Sequence, residues 1–230
     1  MDIRKYWEYS HELGRLMDWK MSRASLNYFL FKRLPQSSLR VNNPQMGQFH
    51  CRENTTDFMY SLFSYEYRLK QKLLAHTQEY TTFLDIGACI GDYSILMANQ
   101  GLEVFSFEPQ PENYQALRAN LRLNCLQRSV DTFHCGLGAQ PDEVTFRSHP
   151  YNRGYSGKYV DHPEGTDFPV QIKTLDQIWV SLGKGIHQSV MVKLDVEGME
   201  EEILEGGGSF FTSVRKIMLV FEAHTTQEAV

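Results

Sequence analysis

Residues 81–96 read TTFLDIGACIGDYSIL, and this stretch decides the fold. Phe83, Leu84 and Ile86 make a short apolar run of the kind that forms a buried parallel strand. The run breaks at Gly87, passes through the small residues Ala88 and Cys89, and restarts at Gly91 and Asp92 as a helical pattern holding Ile95, Leu96 and Met97. A strand, a glycine turn and a helix in succession predict a ligand site at the carboxyl end of a central strand of an open α/β sheet. Backbone N–H groups and a helix N-terminus would face that ligand.

The spacing also narrows the ligand. A dinucleotide turn needs G-x-G-x-x-G so that backbone can approach a pyrophosphate at the second glycine. Here that position is Cys89 and the glycines are spaced G-x-x-x-G. Asp85, still inside the strand, would repel a pyrophosphate but accept hydrogen bonds from a cationic or amine-bearing ligand. Glu108 ends a second apolar strand (Val104, Phe105, Phe107), where an acid can hold ribose hydroxyls. Acid, glycine turn and ribose acid together suit S-adenosylmethionine better than NAD.

Four motifs in order carry a resemblance. They are DIGACIG (85–91), FEPQPEN (107–113), TLD (174–176) and VKLDVEG (192–198). Together they resemble the FkbM-type S-adenosylmethionine-dependent methyltransferases from about Thr81 to His224. The resemblance implies a class I, Rossmann-like three-layer α/β fold with a mostly parallel sheet and, usually, methylation of a hydroxyl on a sugar or polyketide. It also implies the cofactor residues: Asp85, Gly87, Ala88, Cys89, Gly91, Asp92, Glu108, Pro109, Gly136 and Asp195. Gly136 follows a third strand expected over 130–135, where the family's loop lies beside the adenine.

A chain of 230 residues is one ordinary domain plus an appendage. A net charge of −5 makes no electrostatic case for nucleic acid or an anionic membrane. No apolar run approaches a transmembrane length, the N-terminus lacks a signal-like core, and the four cysteines show no zinc spacing. These features predict a cytoplasmic protein with reduced thiols.

The expected organisation is an N-terminal helical extension or cap over 1–78 and the Rossmann-like domain over 79–230. Trp7, Leu13, Leu16, Trp19, Leu26, Phe29, Leu30 and Leu34 predict one or two amphipathic helices. The polar segment 35–44 reads as a connector, and Thr55-Thr56-Asp57 as the cap of one helix running to Leu74. Tyr60, Tyr65 and Tyr67 are core residues or a stacking surface for a sugar. Tyr114, Leu117 and Leu121 predict a helix after Pro111, and strands are expected over 170–174, 190–194 and 217–221. The segment 148–165, rich in Gly, Pro, Asn, Tyr and His, reads as a lid or acceptor loop.

The chain ends soon after the fifth strand, whereas the resembling fold continues with a further pair. The exposed edge at 216–221 is therefore expected to be covered by the N-terminal helices, by a second subunit in a homo-oligomer, or by residues missing through truncation.

A hydroxyl acceptor needs a general base, and His224 has the most suitable ordinary pKa. Asp195 and Glu197 sit at the next strand end as orienting groups or as N-caps of the following helix. With Glu222 and His224 they are also a minor alternative for a divalent ion, although no spacing demands one. Cys89 has no histidine beside it and reads as a small filler of the turn. His134 reads as a satisfied core residue. Two other classes compete with a methyltransferase acting on a small-molecule or glycan acceptor: a noncatalytic scaffold that kept the cofactor fold, and an NAD-dependent oxidoreductase.

Overall fold

A computed structural model describes residues 3–149, 156–158, 160–183 and 188–221, with backbone alone for 3–7. Helices α1 (Ile3–Leu16) and α2 (Trp19–Phe31) are followed by a hairpin, β1 (Leu39–Asn43) and β2 (Gly47–Cys51), and by helices α3 (Asp57–Tyr60) and α4 (Tyr67–His76). Then come β3 (Thr82–Ile86), α5 (Asp92–Ala98), β4 (Glu103–Phe107), α6 (Pro111–Leu123) and β5 (Val130–Phe133). A second group of strands follows: β6 (Gly136–Leu137), β7 (Asp142–Ser148), β8 (Ser156–Gly157) and β9 (Asp167–Lys173). Helix α7 (Leu175–Ser181), β10 (Ser189–Leu194), α8 (Glu200–Glu205), α9 (Gly208–Ser213) and β11 (Lys216–Phe221) complete the described chain.

The five-stranded sheet has the order β11-β10-β3-β4-β5 with every pairing parallel. β3, in the middle, is buried along its whole length, as its uninterrupted apolar run requires. This is the expected α/β architecture, with the glycine turn leaving the central strand. One face of the sheet packs Phe83, Val104 and Met191 against Met21, Phe49, Phe58 and Leu73 of the N-terminal elements. The other packs Leu84, Phe105 and Val192 against Ile178, Trp179, Ile203 and Phe210. The N-terminal residues thus share one continuous core with the sheet.

Four expectations are corrected. The segment 35–44 is no mere connector, because Leu39, Val41 and Asn43 turn inward in β1 and pair with β2. Its polar inward residue is satisfied: the Asn43 amide donates to Glu12 Oε1 (2.6 Å) and to the Ser61 carbonyl (3.0 Å). The single helix expected from Asp57 to Leu74 is broken, with Glu66 in the left-handed region (φ 52°) as the cap of α4. The strand near 170 begins at Asp167 and belongs to a separate sheet, β6-β9-β7-β8, where it runs antiparallel to β7. His134, just beyond β5, is exposed and stacks on Tyr114 at 4.6 Å instead of lying in the core.

β11 is the outermost strand, and among the described residues only β10 pairs with it. Met218 and Val220 pack toward the N-terminal side of the sheet, Ile217 and Leu219 toward the other.

Candidate active site

The carboxyl ends of β3, β4 and β10 open onto one cleft, with residues after β5 closing a side. Its apolar lining comes from Ile86, Phe107, Cys135, Leu137, Phe146 and Met199. Its polar lining holds Glu66, Asp92, Glu108, Asp195 and Glu197, with Lys193 the one lysine or arginine among the described lining residues. Tyr60, Tyr65 and Tyr93 form an aromatic rim; the Tyr60 and Tyr65 rings meet edge to face at 5.2 Å. Tyr67 lies away from it.

The glycine turn is built differently from its reading in the sequence. The Gly87 and Ala88 N–H groups both donate to the Phe107 carbonyl (3.0 and 2.9 Å), and the Gly91 N–H donates to the Ala88 carbonyl (2.7 Å). Cys89, in the left-handed region (φ 47°), donates its N–H to Glu108 Oε2 at 2.8 Å. Four amides expected to face a ligand are thus consumed inside the protein. Glu108 also accepts the Gln110 N–H at Oε1 (2.8 Å), so its carboxylate clamps the turn to the end of β4. Burial pushes Glu108 up to about 7 even though both backbone donors favour its charged form.

Asp85 lies beneath the cleft and is not part of its lining. Ser94 donates to its Oδ2 at 2.6 Å, while Oδ1 has no hydrogen-bond partner and lies 4.0 Å from Lys193 Nζ. Burial raises its pKa. The Lys193 ammonium, on the buried end of β10, donates to Asp195 Oδ2 at 2.9 Å and sits 4.9 Å above the Tyr93 ring. Burial works against that ammonium, but the carboxylates of Asp195, Asp85, Glu66 and Asp92 more than offset it and raise its pKa. Nothing in the sequence reading singled out Lys193; the signal available was a lysine inside an otherwise apolar parallel strand. Lys70 of α4 is also fully buried, donates to the Leu62 carbonyl (2.9 Å) and lies 3.6 Å from Asp92 Oδ2. Burial lowers its pKa.

Gly87, Cys89, Asp92, Glu108, Pro109, Gly136, Asp195 and Glu197 therefore line the cleft, whereas Asp85, Ala88 and Gly91 support it from behind. Glu222 and His224 lie outside the described residues, as does part of the loop 148–165, from which Ser156 reaches the cleft. No described group of three or more His, Cys, Asp or Glu is arranged to hold a metal ion. Burial, then Glu108, pushes the Cys89 thiol up, which keeps it protonated and unsuited to nucleophilic attack. Burial likewise raises Tyr60, Tyr65 and Tyr93, so these phenols act as donors.

Asp92 carries a pH dependence. Burial pushes it up to about 7 against the pull of Lys70 and Lys193, and its Oδ2 has no hydrogen-bond partner. Between the ordinary aspartate range near 4 and about 7, the folded state holds a proton that the unfolded chain has released. Stability therefore falls as pH rises through that window, by at most about 1.4 kcal/mol per pH unit for one proton, and levels above it. In urea denaturation from pH 4 to 8, Asp92→Asn is expected to gain on the parent protein across the window. A constant difference between the two proteins would show that Asp92 does not titrate there.

The profile of the methyltransferase FkbM domain matches residues 85–230. A hexuronic acid methyltransferase, AglP, of Haloferax volcanii is 25% identical over 151 residues, covering 66% of this chain and 60% of that protein. Methyltransferase 1 of Beauveria bassiana is 25% identical over 145 residues, covering 54% and 57%. The crystal structure of methyltransferase FkbM from Methylobacillus flagellatus is 18% identical with a TM-score of 0.39, covering 66% of this chain and 39% of that one. The chain thus spans 57–60% of the length of the curated relatives it matches.

Proposed function

The chain belongs to the FkbM methyltransferase domain family, and from that membership we propose that it transfers a methyl group from S-adenosylmethionine to a hydroxyl of a sugar or related acceptor. The observation that carries the reading is the charge of the cleft. Five carboxyl residues and one lysine line its described part, and four amides of its glycine turn are already bonded within the protein. Such a cleft favours a ligand bearing a sulfonium and an ammonium. It disfavours a pyrophosphate, which needs free N–H groups and no facing acids. The residues present therefore fit S-adenosylmethionine and do not fit NAD.

When bound, the cofactor supplies an electrophilic methyl on a positively charged sulfur. The chain contributes the positioning on which an in-line displacement depends. Glu108 is placed for the ribose hydroxyls, Phe107 and Leu137 for the adenine, and Asp92 for the ammonium. Lys193 orients the Asp195 carboxylate by its hydrogen bond, and that carboxylate takes the hydroxyl proton of the acceptor. Glu197 orients the acceptor beside it. His224 is the competing base.

The hexuronic acid methyltransferase among the relatives supports a sugar acceptor, as does the rim of Tyr60 and Tyr65, whose faces suit a sugar ring. Lys193 is already engaged by Asp195, so a neutral sugar hydroxyl fits these walls better than a uronate. No described helix is long and apolar enough to cross a membrane.

Calorimetry is expected to show binding of S-adenosylmethionine and S-adenosylhomocysteine and none of NAD; the reverse would overturn the reading. Labelled methyl is then expected on neutral glycosides in preference to uronic acids. Cofactor binding with no transfer to any glycan or small hydroxyl compound would favour a scaffold. Full activity in His224→Ala with loss in Asp195→Asn places the base at Asp195; the converse places it at His224.

A further inference from the structure

We propose that the outer face of α2 docks this protein onto an anionic lipid surface. Helix α2 buries Met21, Ala24 and Ser25 against the core. Its opposite side exposes Trp19 (66%), Leu26 (58%) and Leu30 (63%), and Phe31 (62%) is exposed at the end of the helix. Trp19, Leu26 and Leu30 fall at i, i+7 and i+11, one row on a helix. The row runs nearly the length of the helix, about 17 Å at the usual rise, and Met17, in the turn before the helix, is also exposed. Isolated exposed apolar residues are ordinary; several large ones aligned on one helix face mark a contact surface.

The charges around the row identify the occupant. Of the cations in residues 15–33, Arg15 lines a groove with Glu8 and Glu12 and Lys32 lies over the Tyr28 ring, which leaves Lys20, Arg23 and Arg33 for the outer face against the single acid Asp18, in a chain whose net charge is −5. Asp18 is already used, since its carboxylate accepts the Lys20 and Met21 N–H groups as the cap of α2. Cations also lie over the aromatics: Lys20 Nζ 5.9 Å from the Trp19 ring, and Arg33 Cζ 5.8 Å from the Phe31 ring. Arg23 lies on the exposed side, one turn after Trp19 and one before Leu26 and Asn27. A wholly apolar protein groove that took the row would bury this guanidinium without a partner. A bilayer interface accepts both, with rings and leucines among the upper acyl chains and cations reaching the phosphates. The inference is independent of the methyl-transfer reading.

Flotation of the full chain with vesicles tests it. Binding is expected to phosphatidylcholine vesicles containing about a third phosphatidylglycerol at about 50 mM salt. It should fall about tenfold in pure phosphatidylcholine or at about 500 mM salt. The double variant Trp19→Ser, Leu30→Ser should lose about tenfold in binding with an unchanged melting temperature, since both side chains are exposed. Should that variant fold poorly, Lys20→Glu, Arg23→Glu should give the same loss through charge alone. Absence of binding to anionic vesicles at low salt overturns the proposal. So does binding that neither double variant weakens, or a dimer that the Trp19, Leu30 variant converts to monomer, because a second copy would then be the occupant.

Discussion

Gly87→Ala is expected to cost the protein about 4 kcal/mol or more of stability, or to leave it insoluble. Two effects add at this position. Gly87 has a φ of 84°, in the left-handed region that costs a residue with a Cβ about 1–2 kcal/mol. An added Cβ would also lie 1.9 Å from the backbone oxygen of Asp195. No side-chain rotation relieves a clash with backbone, so the ends of β3 and β10 would have to separate. That breaks the hydrogen bond from the Asp195 N–H to the Ile86 carbonyl (3.0 Å) and strains those from Gly87 and Ala88 to Phe107. The control is Gly101→Ala, at a φ of 87° with nothing within 4 Å of the new Cβ. It carries the conformational cost alone, about 1–2 kcal/mol. Urea denaturation of both variants separates the two terms, and equal losses would show that the close approach of the two strands does not matter.

Lys193→Met is expected to destabilise by about 3–5 kcal/mol near neutral pH, because it leaves buried carboxyls facing one another without their cation. Lys193 is bonded to Asp195 and lies 4.0 Å from Asp85, and it opposes the upward shifts of Asp85 and Asp92. Without it both acids move further up. The folded state of the variant then holds protons to higher pH than the unfolded state, so its stability falls more steeply as pH rises. The gap from the parent protein should be small near pH 5 and widest near pH 8, as read by melting temperature. Catalysis should be lost even where the fold survives, because Asp195 loses the group that orients it. A gap independent of pH would mean that the methionine repacks the site and that the lysine's charge is immaterial.

Much of the architecture was legible in local patterns. The apolar runs at 83–86, 104–107 and 190–194 are strands because a fully covered parallel strand tolerates few polar residues, and the run at 217–221 joins them as a half-buried edge strand. The break at Gly87 is a turn because the backbone there needs the left-handed region. Glu108 could be placed at a strand end by spacing alone. What it does in the folded chain could not: it holds Cys89 and Gln110 by their amides, and the turn spends its donors on Phe107. The hairpin 39–51 pairs locally but was hidden because the groups that hold the outer edge of its second strand come from afar. Asn120 of α6 and Asn124 just beyond its end accept the His50 and Gln48 N–H groups at 2.8 Å, and Asn120 donates to the Ile90 carbonyl at 3.0 Å. The acidic whole-chain charge concealed the cationic stretch of α2 for a related reason: a sum over residues carries no positions.

The linear order of residues by itself determined that a parallel α/β sheet would form, with a glycine turn at the end of its middle strand, since both depend on side-chain period and on the φ of single residues. Only the tertiary structure decided that Asp85 sits under the cleft, that Lys193 and Lys70 bring positive charge to Asp195 and Asp92, and that Tyr60 and Tyr65 arrive at its rim from the broken helix. Apart from Lys193 and Asp195, two positions apart, those relations join groups from about twenty to more than a hundred positions apart. Burial and Coulomb energies depend on distance in space, which no local pattern records.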